Sequence, residues 1–175
     1  MKPGGRRMFD VRDRSVAAST LMMLTCLVLG FLAGGMLVIG VSFVGFWKSL
    51  SPSDFQAWFA SYSYLIGRLM IPLGVSSVAL TVAAIVVCWR GPARCRRWLL
   101  VAALSAVSVM ITYPVFFAAT NEAFERGGLS DSAIRVLLDR WVTWHWVRTG
   151  LGTLGFLAAL RALQHSLDGF ERAIR

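Results

Sequence analysis

Hydrophobic positions in this chain fall into four long blocks rather than the one-sided or alternating patterns of a water-soluble fold. The blocks cover residues 16–46, 69–89, 98–120 and 141–160. Each reaches the roughly 20 apolar residues that carry a helix across a hydrocarbon core. Backbone groups in lipid must be satisfied internally, and the period-two alternation of barrel strands is missing, so the blocks are expected to be helices. The predicted fold class is all-α: an integral membrane four-helix bundle, one domain over residues 16–163. A basic tail over 1–15 precedes it and a tail over 164–175 follows. The first block runs 31 residues without a charge. That is too long for the apolar region of a signal peptide, so the helix is expected to tilt or to end outside the membrane.

The polar links carry their own signals. Ser51-Pro52-Ser53-Asp54 reads as a helix start, with a capping hydroxyl, a proline at the first position and an acid in the first turn. Phe55, Trp58, Phe59, Tyr62 and Ile66 follow at helical spacing, which predicts a short amphipathic helix at the outer interface, either capping the bundle or lying on the lipid. Gly127-Gly128 breaks the next link, and Ser130 caps a fourth helix that meets no proline afterwards. That helix is expected to extend beyond the membrane, with Arg135 and Asp139 as an exposed i,i+4 pair. Gly30 and Gly34 form a small-xxx-small pair suited to close helix packing. The same glycine-rich face would also serve a homo-oligomer.

Composition agrees: 57% of residues are hydrophobic, 15% are charged, and mean hydropathy is +0.64. A net charge of +9 would suggest nucleic acid in a soluble protein. Here twelve of the eighteen Lys and Arg residues sit in the N-terminal tail, the 90–97 loop and the C-terminal end from Arg161 onward, so the excess marks one side of a membrane. The expected location is the bacterial inner membrane, multi-pass, with both termini cytoplasmic and the lipid bilayer as the main partner. No nucleic-acid partner is expected.

Chemistry concentrates in Arg140-Trp141-Val142-Thr143-Trp144-His145-Trp146-Val147-Arg148. At 100° per residue Trp141, His145, Arg148 and Gly152 share one helix face, with Trp144 beside them and Arg140 towards the rim. Ile134, Leu137 and Leu138 continue that face, which makes it the buried one. Arg148 lies about 20 Å along the helix from Arg161, within the membrane, where a charge faces the bundle interior or snorkels to the interface. Its candidate partners are Glu122, Glu125, Asp54 or a bound anion. Arg68 and Asn121 are expected at the same level, so several helices direct polar groups to one mouth. Histidine at an interface is as often a hydrogen-bonded spacer as a general base, and the tryptophans suit an interface belt or a cavity wall.

Other chemistries lack their residues. The only histidines, His145 and His165, lie about 30 Å apart on one helix, which excludes bis-histidine haem ligation within one subunit. One imidazole with scattered carboxylates is poor for zinc or di-iron, and no metal site is expected within the subunit. Cys26, Cys88 and Cys95 form no CxxC motif; Cys26 and Cys88 read as small core residues.

The chain resembles the small four-span membrane family that includes the anthrone oxygenases of aromatic polyketide pathways. The likeness rests on Gly30–Gly35, the Phe55-to-Pro72 segment, Asn121, Arg140-Trp141 and His145-x-x-Arg148. It implies oxidation of an anthrone-like phenolic aromatic to a quinone with dioxygen, without a cofactor. In that scheme His145 is the base, while Arg148 and Arg68 steady the developing oxyanion. Asn121 orients the substrate, and Arg140, Trp141, Trp144 and Tyr64 complete its binding surface. Two alternatives remain at this point. One is a non-catalytic protein holding a lipid, small amphiphile or protein partner in its mouth; the other is a metal enzyme assembled across a subunit interface.

Overall fold

The computed structural model describes the backbone of residues 3–89 and 91–174 and the side chains of residues 16–89 and 91–167. The arginines of the 1–15 tail, Arg90, Arg172 and Arg175 lie outside the described side chains. The described backbone is helical throughout apart from short links, and four long rods form a bundle.

The first rod is α1 (Pro3–Val38), which passes through a π-helical turn at Ile39–Phe43 into α2 (Val44–Ser49). Leu50 then turns extended. Ser51 caps α3 (Pro52–Val87) by accepting the Asp54 N–H at 3.1 Å, with Pro52 at the helix start. The amphipathic stretch beginning at Phe55 is therefore not a separate short helix but the first half of α3. Gly67 alone does not interrupt the helix, and Pro72 is absorbed inside it.

The return rod is α4 (Ala93–Thr112), a second π-helical turn at Tyr113–Phe117, and α5 (Ala118–Arg126). Pro114 sits in that turn and supplies its cause, since proline has no N–H for the regular ladder. Gly127 and Gly128 follow with φ of 75° and 79°, the left-handed values that glycine adopts without strain. Ser130 then accepts the Ala133 N–H at 3.3 Å at the start of α6 (Asp131–Ile174).

Three rods are long and apolar enough to cross a membrane, Val16–Ser49, Pro52–Val87 and Ala93–Arg126. α6 packs chiefly along α4 and α1. Its buried stripe is Ile134, Leu138, Trp141, His145, Thr149, Gly152, Gly155, Ala158, Ala159 and Ala162, which is helical spacing with small residues in the second half. Outward faces stay apolar, as at Phe31, Val41, Leu69, Leu104 and Val115, the surface expected of a body surrounded by lipid.

Glycine packing differs in register from the expected Gly30–Gly34 pair. A Cβ on Gly30 would stand 3.2 Å from the Phe156 ring, and one on Gly40 would stand 3.0 Å from Trp146, both on α6. Gly35 admits Met70 of α3, whereas Gly34 faces open space. α1 is clasped from two sides, so its close contacts do not follow a single i,i+4 row. Asp139 also departs from expectation: it pairs with Lys48 at 2.8 Å rather than with Arg135, tying α2 to α6.

Candidate functional site

One end of the bundle is filled by aromatic rings. Trp47 from α2, Phe55 and Phe59 from α3, Phe124 from α5 and Trp141 from α6 interlock there, with centroid separations of 4.9–6.0 Å. The first half of α3 supplies Phe55 and Phe59, so it closes this end as a cap. Beside the rings opens a cavity of about 700 Å³, bordered by Arg68, Asn121, Glu122, Glu125, Trp141 and Arg148 among others.

α6 positions the central group. His145 is 0% exposed. Its Nε2 lies 2.8 Å from the Met36 carbonyl, which only accepts, so Nε2 carries the hydrogen. Its Nδ1 accepts from Arg148 Nε at 3.1 Å and Nη2 at 2.9 Å. Both ring nitrogens are thus engaged, and the Nε2–H tautomer follows from the partners. Trp141 stacks on the imidazole, at 4.9 Å between centroids and 8° between planes. Its indole N–H donates to Asn121 Oδ1 at 2.9 Å, leaving the Asn121 amide group to donate elsewhere. The Gly40 backbone makes room, since a Cβ there would be 3.3 Å from His145 Cδ2.

Arg148 completes the arrangement. Its guanidinium carbon lies 3.8 Å from the Phe117 ring centroid and 5.3 Å from that of Trp141, the reach of cation–π attraction. No carboxylate among the described residues pairs with it. The candidate acids are occupied otherwise: Glu122 pairs with Arg126, and Glu125 accepts from Ser63 at 2.9 Å. A cation held by rings and a neutral imidazole, with N–H groups to spare, thus borders the cavity. Among the described residues no three His, Cys, Asp or Glu side chains converge.

Of the residues singled out in the sequence, the cavity wall gathers Arg68, Asn121, Trp141, Arg148 and Tyr64. Three are placed elsewhere. His145 lies behind Arg148 and does not border the cavity. Trp144 stacks on Phe116 at 5.3 Å, and Arg140 lies over the same Phe116 ring at 5.9 Å. Trp47 is the residue that sequence reasoning missed. It borders the cavity, and its buried indole N–H has no partner among the described residues. Its one sequence signal is an isolated tryptophan at the end of an apolar block. Glu122 and Glu125 enter as wall carboxylates rather than as partners of Arg148.

A second, apolar groove of about 510 Å³ runs between α1 and α3. It shares Ile66 and Met70 with the main cavity. Comparison with known proteins gives one match: the family model described as anthrone oxygenase covers residues 55–158. No curated protein and no solved structure matches the chain.

Proposed function

The chain belongs to the anthrone oxygenase family, and from that membership we propose that it oxidises a phenolic, anthrone-like aromatic with dioxygen in the cavity bordered by Arg148. The observation that carries this reading is the guanidinium without a carboxylate partner, facing a cavity of about 700 Å³. Ligand sites of that size hold drug-sized molecules. The substrate class needs such a cation, because losing a proton from the ring methylene places negative charge on that carbon and on the conjugated carbonyl oxygen.

Arg148 stabilises that oxyanion, with Arg68 at the cavity edge. The indole N–H of Trp47 and the amide of Asn121 are donors for a second oxygen. His145 is assigned as a positioning residue rather than as the base, because neither of its ring nitrogens has a free lone pair. Glu122 and Glu125 are the wall carboxylates and accept the proton in this scheme. The carbanion adds dioxygen to give a peroxide; protonation and loss of water leave the carbonyl. The balance is one methylene and one O₂ to one quinone carbonyl and one water.

A second reading, non-catalytic retention of an amphiphile, draws support from the apolar groove joined to the polar cavity through Ile66 and Met70. One experiment separates the two. Purified protein is given 1,8-dihydroxyanthrone, and quinone absorbance is followed with oxygen uptake. The oxygenase reading expects quinone and oxygen in equal amounts, above the rate with heat-denatured protein. Binding with no rate above that background supports the retention reading instead.

A further inference from the structure

The end of the bundle away from the aromatic cap holds a cluster that the oxygenase reading does not use. Met22 of α1, Cys88 at the C-terminal cap of α3 and Cys95 in the first turn of α4 meet there. The Cys88 thiol points to Met22 Sδ at 4.0 Å, and the Cys95 thiol to the same sulfur at 3.9 Å. Two thiols, one at the end of α3 and one in α4, therefore converge on one thioether of α1. Met22 and Cys95 are each 1% exposed and Cys88 is 8% exposed. Ala84, Leu99 and Ala162 complete an apolar shell around them.

We propose that Met22, Cys88 and Cys95 form a three-coordinate site for a soft monovalent cation, copper(I). Metal–sulfur bonds of about 2.3 Å in a trigonal plane set the sulfurs about 4 Å apart, which is the spacing both thiols already keep from the thioether. Thiolate and thioether together select copper(I) among biological metals. Zinc asks for a fourth ligand, and among the described residues no imidazole or carboxylate joins the two thiols as a third His, Cys, Asp or Glu ligand. Binding is a ligand exchange without redox change: two thiols release two protons, and two thiolates with one thioether take up one copper(I). The complex carries one negative charge, and Arg94 and Arg96 flank Cys95 in the sequence. The bound ion ties α1, α3 and α4 together beside the 89–92 link. Ala162 of α6 lies at this level, about 21 Å along the helix from Arg148, so the site is separate from the cavity.

The test is titration of the full chain, reduced and in detergent, with copper(I) against the chelator bathocuproine disulfonate. X-ray absorption gives the coordination number, and thermal melts are recorded with and without the ion. The expected result is one copper per chain, a three-sulfur shell and a raised melting temperature. Cys88→Ser and Cys95→Ser abolish binding, Met22→Leu weakens it at least about tenfold, and Cys26→Ser leaves it unchanged. Copper-free melts identify any variant that fails to fold; for such a variant, wild-type coordination number decides alone. The proposal is overturned by absence of stoichiometric copper, by two-coordinate copper indifferent to Met22→Leu, or by equal loss in Cys26→Ser.

Discussion

At residue scale the decisive unit is the pair of His145 and Arg148. An imidazole whose Nδ1 accepts from a guanidinium and whose Nε2–H donates to the Met36 carbonyl holds Arg148 but has no site for a substrate proton. Glutamine can reproduce both contacts, with a carbonyl oxygen for Arg148 and an amide N–H for Met36, yet it cannot act as a base. His145→Gln is therefore expected to keep quinone formation within about tenfold of the parent, while His145→Ala loses about a hundredfold. Equal loss in the two variants, measured as kcat with folding checked by circular dichroism, would restore His145 to the role of base. Arg148→Gln removes the cation itself and is expected to cost about 10²–10³ in kcat, the usual effect of losing an oxyanion donor. Helical periodicity was enough to set Trp141, His145 and Arg148 on one face. It was silent on which of them reach the cavity, because that depends on Met36 and Phe117, which lie in other rods.

At the scale of elements, boundaries were more legible than faces. Ser51, Gly127-Gly128 and Ser130 act locally, through a hydroxyl or a left-handed φ, and the structure puts helix ends beside each. Faces are different inside an apolar block, where lipid and core ask for the same side chains and the periodic contrast disappears. The glycines of the first rod show this: Gly30, Gly34, Gly35 and Gly40 look alike in sequence, yet one faces open space and three are pressed against side chains of α3 or α6. Gly40→Val would drive methyl groups into the Trp146 and His145 rings, and is expected to lower stability by about 1–3 kcal/mol through overpacking. Gly34→Ala meets nothing within 4 Å and gains helix propensity, so its melting temperature should match or exceed the parent's. Detergent melts of the two variants compare them directly; equal destabilisation would mean that α1 packs by its other face.

For the whole molecule, α6 is the rod whose lipid crossing rests on context rather than on composition. It carries Arg148 within the segment expected to span, with Arg140 and Arg161 at its two edges, and it is not among the helices apolar enough to qualify alone. The charges do not argue against a crossing when they face protein: Arg148 is held by His145, Phe117 and Trp141. The small residues Gly152, Gly155, Ala158, Ala159 and Ala162 let α1 and α4 lie close against the helix, so protein shields much of its surface from lipid. A rod packed along both α1 and α4 is expected to share their span of the bilayer, giving four crossings with the two termini on one side. With the arginines at 94, 96 and 97 in the link between the second and third rods, the positive-inside rule predicts that this side is cytoplasmic. Reporters fused at either end are expected to read the same, cytoplasmic side, and a cysteine placed at Gly128 should be labelled only from the opposite face. Reporters reading opposite sides would leave three crossings, with α6 outside the membrane and Arg148 no longer beneath its surface.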